Sequence, residues 1–355
     1  MYFFNEITNF FFLGTILSFI FSILILFTIK FHQSFSLDQN FGIQKVHSGK
    51  IPRIGGLSVF FALVIIGLLA KPNLAEKIQI FLLCITPVFL LGIAEDITAR
   101  IKPKWRLAAS FFTSMLLFSY ADIAIKETGL QFIDLLLDHF IISFLMTILA
   151  VTFMSQAINI IDGLNGLSMG SSVAMLVAII LITFIEEDIF LFSFSMSFLG
   201  CIVGILILNF PSGKIFLGDG GAYLIGALLA VLVILLPERN PNISSFTSLL
   251  IISYPAYETL RSFFRRNFSK KQSWYKPDDK HLHSLYFKIL NKEFNKLVSN
   301  SLASLIILIL PILSACLSII YYKNTEALFI ALLIIIILFE LLIIIGNKLI
   351  KNSHK

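Results

Sequence analysis

Hydrophobic residues along this chain gather into runs of about twenty, separated by short polar stretches. That spacing is what a hydrocarbon core about 30 Å thick imposes on helices that rise about 1.5 Å per residue. Eleven runs predict eleven spans, over 10–31, 54–70, 77–94, 105–121, 140–158, 166–185, 189–210, 221–236, 244–260, 300–322 and 327–348. The fold class read from this pattern is all-α, a polytopic integral membrane protein of about eleven transmembrane helices, with ten as the alternative. The whole chain, 1–355, reads as one domain, because no polar segment is long enough to fold apart. The first run is too long for a signal-peptide core and no small-residue cleavage site follows it, so it is read as a span, with the mature chain beginning near Met1. Residues 122–139 read as a short interfacial element, and 261–299 as a basic loop.

Composition agrees with the pattern. The chain is 57% hydrophobic and 14% charged, where soluble domains carry about 25% charged residues. Charge then orients the spans. Sorted by alternate loops, 22 of the 27 Lys and Arg fall on one side and five, Lys71, Lys77, Lys126, Arg239 and Lys323, on the other. The rich side is expected to be cytoplasmic, with Met1 outside and Lys355 inside. The net charge of +6 is thereby a topology signal with some attraction to anionic lipid, and nucleic acid is not called for. The poor side carries carboxylates in short loops, expected as a solvated rim. Cys84, Cys201 and Cys316 lie in apolar runs without metal or disulfide spacing and read as packing residues.

The polar exceptions carry the chemistry, and the rich side holds nearly all of them. Foremost is Asn159-Ile-Ile-Asp162-Gly163-Leu-Asn165-Gly166-Leu167, where amides, a carboxylate and two glycines interrupt apolar runs. A charge inside lipid is costly, so these residues belong at a helix end or serve a task. Before it come His47, Pro52, Arg53 and the pair Gly55-Gly56, suited to an anion at a helix N-terminus, and then Glu95-Asp96 followed by Arg100, Lys102, Lys104 and Arg106. Adjacent carboxylates raise each other's pKa unless a cation or metal is near. After it come Phe216-Leu-Gly218-Asp219-Gly220-Gly221, a hard oxygen ligand in a glycine turn, and the basic loop with Arg261, Arg265, Arg266, His281 and His283. Carboxylates for a metal and cations for phosphates are the parts of phosphoryl transfer.

In their order and spacing, from about His47 to Ser284, these five motifs resemble the polyprenyl-phosphate N-acetylhexosamine-1-phosphate transferases, and the Pro52-Arg53-Ile-Gly-Gly and His-Leu-His segments resemble the branch that uses N-acetylglucosamine 1-phosphate. The resemblance implies a magnesium-dependent transferase, with manganese as a substitute, acting at the cytoplasmic face of a bacterial inner membrane. Its partners would be a UDP-sugar and undecaprenyl phosphate; it would release UMP and start a surface glycan. A homodimer stays open. By the same resemblance Glu95, Asp96 and Asp162 are expected to be catalytic, Asp219 and Asn159 to hold the metal, and Phe216 and Asn165 to meet the base. Lys104, His281, His283, His47, Arg53 and Arg265 are expected on phosphate or sugar. The chain departs from the family pattern at Glu95, Gln156, Asn165 and Ser284. Two other readings, a lipid or sugar transporter and a catalytically silent relative, remain to be weighed; the first would need polar groups lining a path near mid-bilayer, whereas these lie at span ends.

Overall fold

Lipid supplies no hydrophobic force between helices, so their association depends on close packing and on polar groups finding partners. The structure is a computed structural model that describes residues 2–37, 51–268 and 280–352. Among them, in chain order, run α1 (Tyr2–Phe27), α2 (Ile29–Ser36), α3 (Gly56–Leu69), α4 (Pro72–Thr98), α5 (Pro103–Ala121), α6 (Gln131–Leu137), α7 (Phe140–Ile161) and α8 (Leu167–Ile185). There follow α9 (Ile189–Asn209), α10 (Gly218–Arg239), α11 (Ser245–Ile251), α12 (Ser253–Phe268), α13 (Leu282–Leu290), α14 (Lys296–Tyr321) and α15 (Thr325–Asn352). The described residues contain no strand, only an antiparallel bridge between Leu37 and Pro52.

Helix α10 is the axis of the bundle, buried along nearly all its length and packed against α3, α4, α7 and α8. Glycines mark the closest approaches. A Cβ on Gly92 of α4 would stand 2.5 Å from the Cα of Gly220, and one on Gly226 would stand 2.6 Å from the Cα of Ser155 on α7. On the flank α1 lies along α9, where a Cβ on Gly204 would stand 2.5 Å from the carbonyl oxygen of Thr15. Hydroxyls supply the polar contacts. Ser114 and Thr152 meet at 3.0 Å across α5 and α7, Gln156 donates to the Ser110 hydroxyl at 2.9 Å, and the Thr113 hydroxyl accepts the Val88 N–H beside the helix-interrupting Pro87 at 3.3 Å.

Among the described residues eight helices are long and apolar enough to cross a membrane, and each coincides with a predicted span. The other three predicted spans differ. The 54–70 span is α3, of 14 residues, because Pro52 to Gly55 are held in backbone pairing with 216–217 and Pro72 keeps Lys71 out of helical conformation. The 105–121 span is α5, whose polar first turn and inward hydroxyls lower its hydropathy. The 244–260 span is divided at Ile252 into α11, of 7 residues, and α12, of 16, whose later turns carry Glu258, Arg261, Arg265 and Arg266. Residues 131–137 form a short helix with Phe132 and Leu135 exposed.

The expected solvated rim is partly structural. Asp188 is 8% exposed; it caps α9 by accepting the Leu191 N–H at 3.1 Å and accepts Arg239 Nε at 2.8 Å. Glu238 accepts the Lys126 N–H at 2.7 Å. These loops close neighbouring helices over a short distance, so their carboxylates meet backbone and arginine donors before water.

The glycine contacts give a direct test. Gly92→Val drives two methyls into the α10 backbone and should cost about 1–3 kcal/mol, the usual penalty of overpacking, read as a lower thermal midpoint in detergent. An unchanged midpoint would contradict the contact between α4 and α10.

Candidate active site

At the N-terminus of α10 the backbone turns through Gly218, whose φ is +79°, a conformation in which a side chain would be strained. The first N–H groups of a helix lack intrahelical acceptors. Here Asp96, from the end of α4, accepts the N–H of Asp219 at 2.8 Å on one oxygen and that of Gly220 at 3.0 Å on the other. Its side chain has no exposed surface, and Arg53 Nη2 lies 3.7 Å from it. Arg53 is placed by a second backbone pairing: Phe216 N–H donates to Pro52 O at 2.9 Å, Gly55 N–H to Phe216 O at 3.0 Å and Gly56 N–H to Leu217 O at 2.8 Å.

Asp219 emerges from this turn among donors. Arg106 Nη1 is 2.6 Å from one carboxylate oxygen; Asn159 Nδ2 is 3.1 Å and Arg53 Nη2 3.5 Å from the other. Glu95 accepts the Ile101 N–H at 2.6 Å, closing the turn that leads into α5. Asp162 ends α7 and accepts the hydroxyl of Ser168 from the first turn of α8. Lost hydration raises its pKa to about 6, with the Asp219 charge adding to the rise and Ser168 and Arg53 opposing it. The loop between is held by amides: Asn300 Oδ1 accepts the Asn165 N–H at 2.8 Å and Asn209 Oδ1 accepts the Gly166 N–H at 2.7 Å.

The basic loop reaches the same place. His283 packs its ring where a Cβ on Gly163 would stand, and lies parallel to His281 with centroids 5.2 Å apart. His281 Nδ1 is 2.7 Å from Glu258 Oε1 on α12. Burial and the neighbouring His281 push the His283 pKa down to about 3, so that ring is neutral.

The structure thus brings together Glu95, Asp96, Asp162, Asp219, Asn159 and Arg53, with His283 against their loop. Phe216 is half-buried at the α10 turn, and Asn165 is 3% exposed with its Nδ2 donating to Pro211 O at 3.1 Å. Lys104 stands apart, exposed, its ammonium 5.4 Å from the Trp105 ring centroid. Arg265 donates to Lys280 O at 3.1 Å. His47 lies outside the described residues.

The sequence named Arg106 among the cations after Glu95-Asp96 and held Glu258 as a charge in a span, but neither was given a role in the site. The signal for Arg106 was its phase: with Pro103 opening α5, Arg106, Ser110, Ser114 and Leu117 share one face, and the last three are buried, whereas Lys104 points elsewhere. For Glu258 it was a charge in an apolar run.

Four carboxyl groups, Glu95, Asp96, Asp162 and Asp219, thus face two guanidiniums, Arg53 and Arg106. That excess of negative charge and the hard oxygens of Asp219 fit a divalent cation. Asn159 can add its amide oxygen, since which amide atom faces Asp219 is a matter of a side-chain flip, and magnesium binds through one or two such groups plus phosphates and water.

Residues 78–237, which carry α4 through most of α10, match the family described as glycosyl transferase family 4. This part of the chain is similar to that family. The matched segment holds Glu95, Asp96, Arg106, Asn159, Asp162 and Asp219. Among similar proteins is one named as a glycosyltransferase of Methanocaldococcus jannaschii, 30% identical over 194 residues, covering 53% of this chain and 57% of the relative. Another is named as an undecaprenyl-phosphate N-acetylglucosaminyl 1-phosphate transferase of Bacillus subtilis, 30% identical over 166 residues, covering 43% and 42%. A third is a phospho-N-acetylmuramoyl-pentapeptide-transferase of Chlorobium luteolum, 24% identical over 143 residues, covering 36% and 39%. The matches span 57% or less of each of these relatives.

The raised pKa of Asp162 has a consequence for stability. With a folded value of about 6 against 3.8 in the reference state, the favourable contribution is complete below 3.8 and is lost as pH rises through 6. Asp162→Asn should therefore melt like the parent near pH 4 and above it near pH 8, by at most about 3 kcal/mol at roughly 1.4 per pH unit. Equal melting at both pH values would refute the shift.

Proposed function

We propose that this protein transfers an N-acetylhexosamine 1-phosphate from a UDP-sugar to a polyprenyl phosphate, undecaprenyl phosphate in a bacterial inner membrane. A lipid phosphate oxygen forms a bond to the sugar-bearing phosphorus while the bridging P–O bond breaks, and UMP leaves with the bridging oxygen. The observation that carries this reading is the convergence on one helix terminus of four carboxyl groups, two guanidiniums and an Asn-x-x-Asp-Gly loop, at the ends of membrane helices of a glycosyl transferase segment. The relative named as a phospho-N-acetylmuramoyl-pentapeptide-transferase makes that larger sugar the second substrate to try. Either product would start a cell-wall or surface glycan.

Each residue has a part. Arg53 and Arg106 neutralise phosphate oxygens. Asp162, which titrates close to the second pKa of a phosphate, takes the proton of the lipid phosphate. Asp96 and Glu95 hold the turns from which Asp219 and Arg106 act. Asp219 and Asn159 would hold Mg2+, or Mn2+ in its place, which when bound supplies positive charge to the phosphate oxygens. Phe216 offers a ring for the uracil to stack on, and Asn165 is assigned to the base. His281, with His283 stacked on it, is assigned to the diphosphate and sugar, and His47, Arg265 and Lys104 are assigned to the same phosphates. The excess of Lys and Arg on this side supports a cytoplasmic site with the N-terminus outside.

The deciding experiment incubates full-length protein in membranes with undecaprenyl phosphate, Mg2+ and a panel of UDP-sugars, and measures UMP release. Turnover with an N-acetylated sugar is expected; none with any sugar overturns the reading. Asp219→Asn should cut turnover at least a hundred-fold and move residual activity to higher Mg2+, whereas an aspartate that only caps a helix tolerates Asn. Phe216→Ala should raise KM for the UDP-sugar about ten-fold with kcat little changed, since base stacking is worth roughly 1–3 kcal/mol. An unchanged KM would make Phe216 one more packing aromatic.

A further inference from the structure

Glu258 is a buried carboxylate, 1% exposed, on a helix packed among membrane spans. A charge in such a place needs a partner. Its Oε1 is 2.7 Å from His281 Nδ1, and its Oε2 faces the Leu282 N–H at 3.4 Å. One side chain on α12 thus receives both a ring donor and a backbone donor from the start of α13.

This pairing separates two histidines that look alike in the sequence. Their rings are stacked with planes 3° apart, and two imidazolium ions so placed would repel. Among the described residues only His281 has a carboxylate within hydrogen-bonding distance. His283, sealed against Gly163, has no carboxylate contact and its Nδ1 is buried without a hydrogen bond. When one ring nitrogen donates to a carboxylate the other is fixed in direction, and the carboxylate's negative charge favours a second proton there. Among the described residues no protein group hydrogen-bonds to Nε2 of His281.

We propose that Glu258 is a positioning residue that holds His281 by its Nδ1–H and, by its negative charge, keeps a second proton on the ring, so that Nε2–H faces an anionic oxygen of the sugar nucleotide's diphosphate. This deepens the transferase reading and rests on it. Glu258 touches no substrate; it acts through the ring.

The test uses full-length protein with undecaprenyl phosphate, Mg2+ and the UDP-sugar that the parent turns over best. Glu258→Gln keeps the size of the side chain and an acceptor oxygen but removes the charge. It should raise KM for the UDP-sugar roughly ten- to a hundred-fold, the worth of a hydrogen bond to a charged group, with a smaller change in kcat. His281→Ala should do the same, and the double variant should be no worse than His281→Ala alone. A parental KM in Glu258→Gln, or losses that multiply in the double variant, would overturn the inference while leaving the transferase standing. A parent inactive on every UDP-sugar would overturn both. Should Glu258→Gln fail to fold, 15N-histidine spectra of the parent decide, with the His281 signals assigned by their loss in His281→Ala. Protons on both ring nitrogens are expected; a ring protonated on one nitrogen alone would refute the inference.

Discussion

Every distance in the site depends on one buried carboxylate meeting the start of α10. Asp96 satisfies two N–H groups that would otherwise be orphaned where the helix begins. Each such charge-assisted bond is worth about 1.5–3 kcal/mol, and an unpaired donor at that depth would cost as much again. The bonds do more than stabilise. They lock the end of α4 to the turn at Gly218, and that turn fixes the direction in which Asp219 leaves the helix. With no Cβ at Gly92 or Gly220, the two backbones can come close enough for the carboxylate to reach. Glycine contact and carboxylate cap are one device.

Much of this was legible in the sequence, for physical reasons. Apolar run length reports the thickness of the membrane, so eight spans were readable. A polar residue in an apolar chain is costly, so Asp96, Asn159, Asp162 and Asp219 stood out without any knowledge of their neighbours. What hydropathy could not report was direction. Lys104 and Arg106 lie two residues apart on α5, and only the phase set by Pro103 sends Arg106 to Asp219. Nor did run length report the break between α11 and α12, whose signal was Pro255: it has no N–H to donate to the carbonyl of Ile251, so a helix through Ile252 and Ser253 is interrupted there. Asp188 was read as rim because its partners, Arg239 and Asn240, lie more than fifty residues away.

The break between α11 and α12 has its own logic. A continuous helix through 244–268 would carry Glu258 and Arg261 along an otherwise apolar track. As a separate helix, α12 turns each charge to a partner: Glu258 to His281, and Arg261 to Glu340 on α15 at 2.6 Å, where Tyr257 also donates at 3.0 Å. Charges that would oppose insertion instead fasten α12 to α13 and α15. The helix that joins the basic loop to the bundle is thereby held on two sides.

Pre-pairing also explains how long, flexible arginines can serve phosphates that arrive late. Ordering an arginine side chain costs up to about 2 kcal/mol of conformational entropy. In this site that cost falls within folding, because Arg106 is already 2.6 Å from Asp219 and Arg53 lies between Asp96 and Asp219. In the proposed reaction an incoming diphosphate would meet guanidiniums already in place, and groups aligned beforehand need no reorganisation during it. Burial raises the pKa of Asp162 and the nearby Asp219 charge adds to the rise, so holding these carboxylates together costs energy. A site under that strain favours whatever brings positive charge to it, and the glycine-packed helices beneath keep it from relaxing by moving apart.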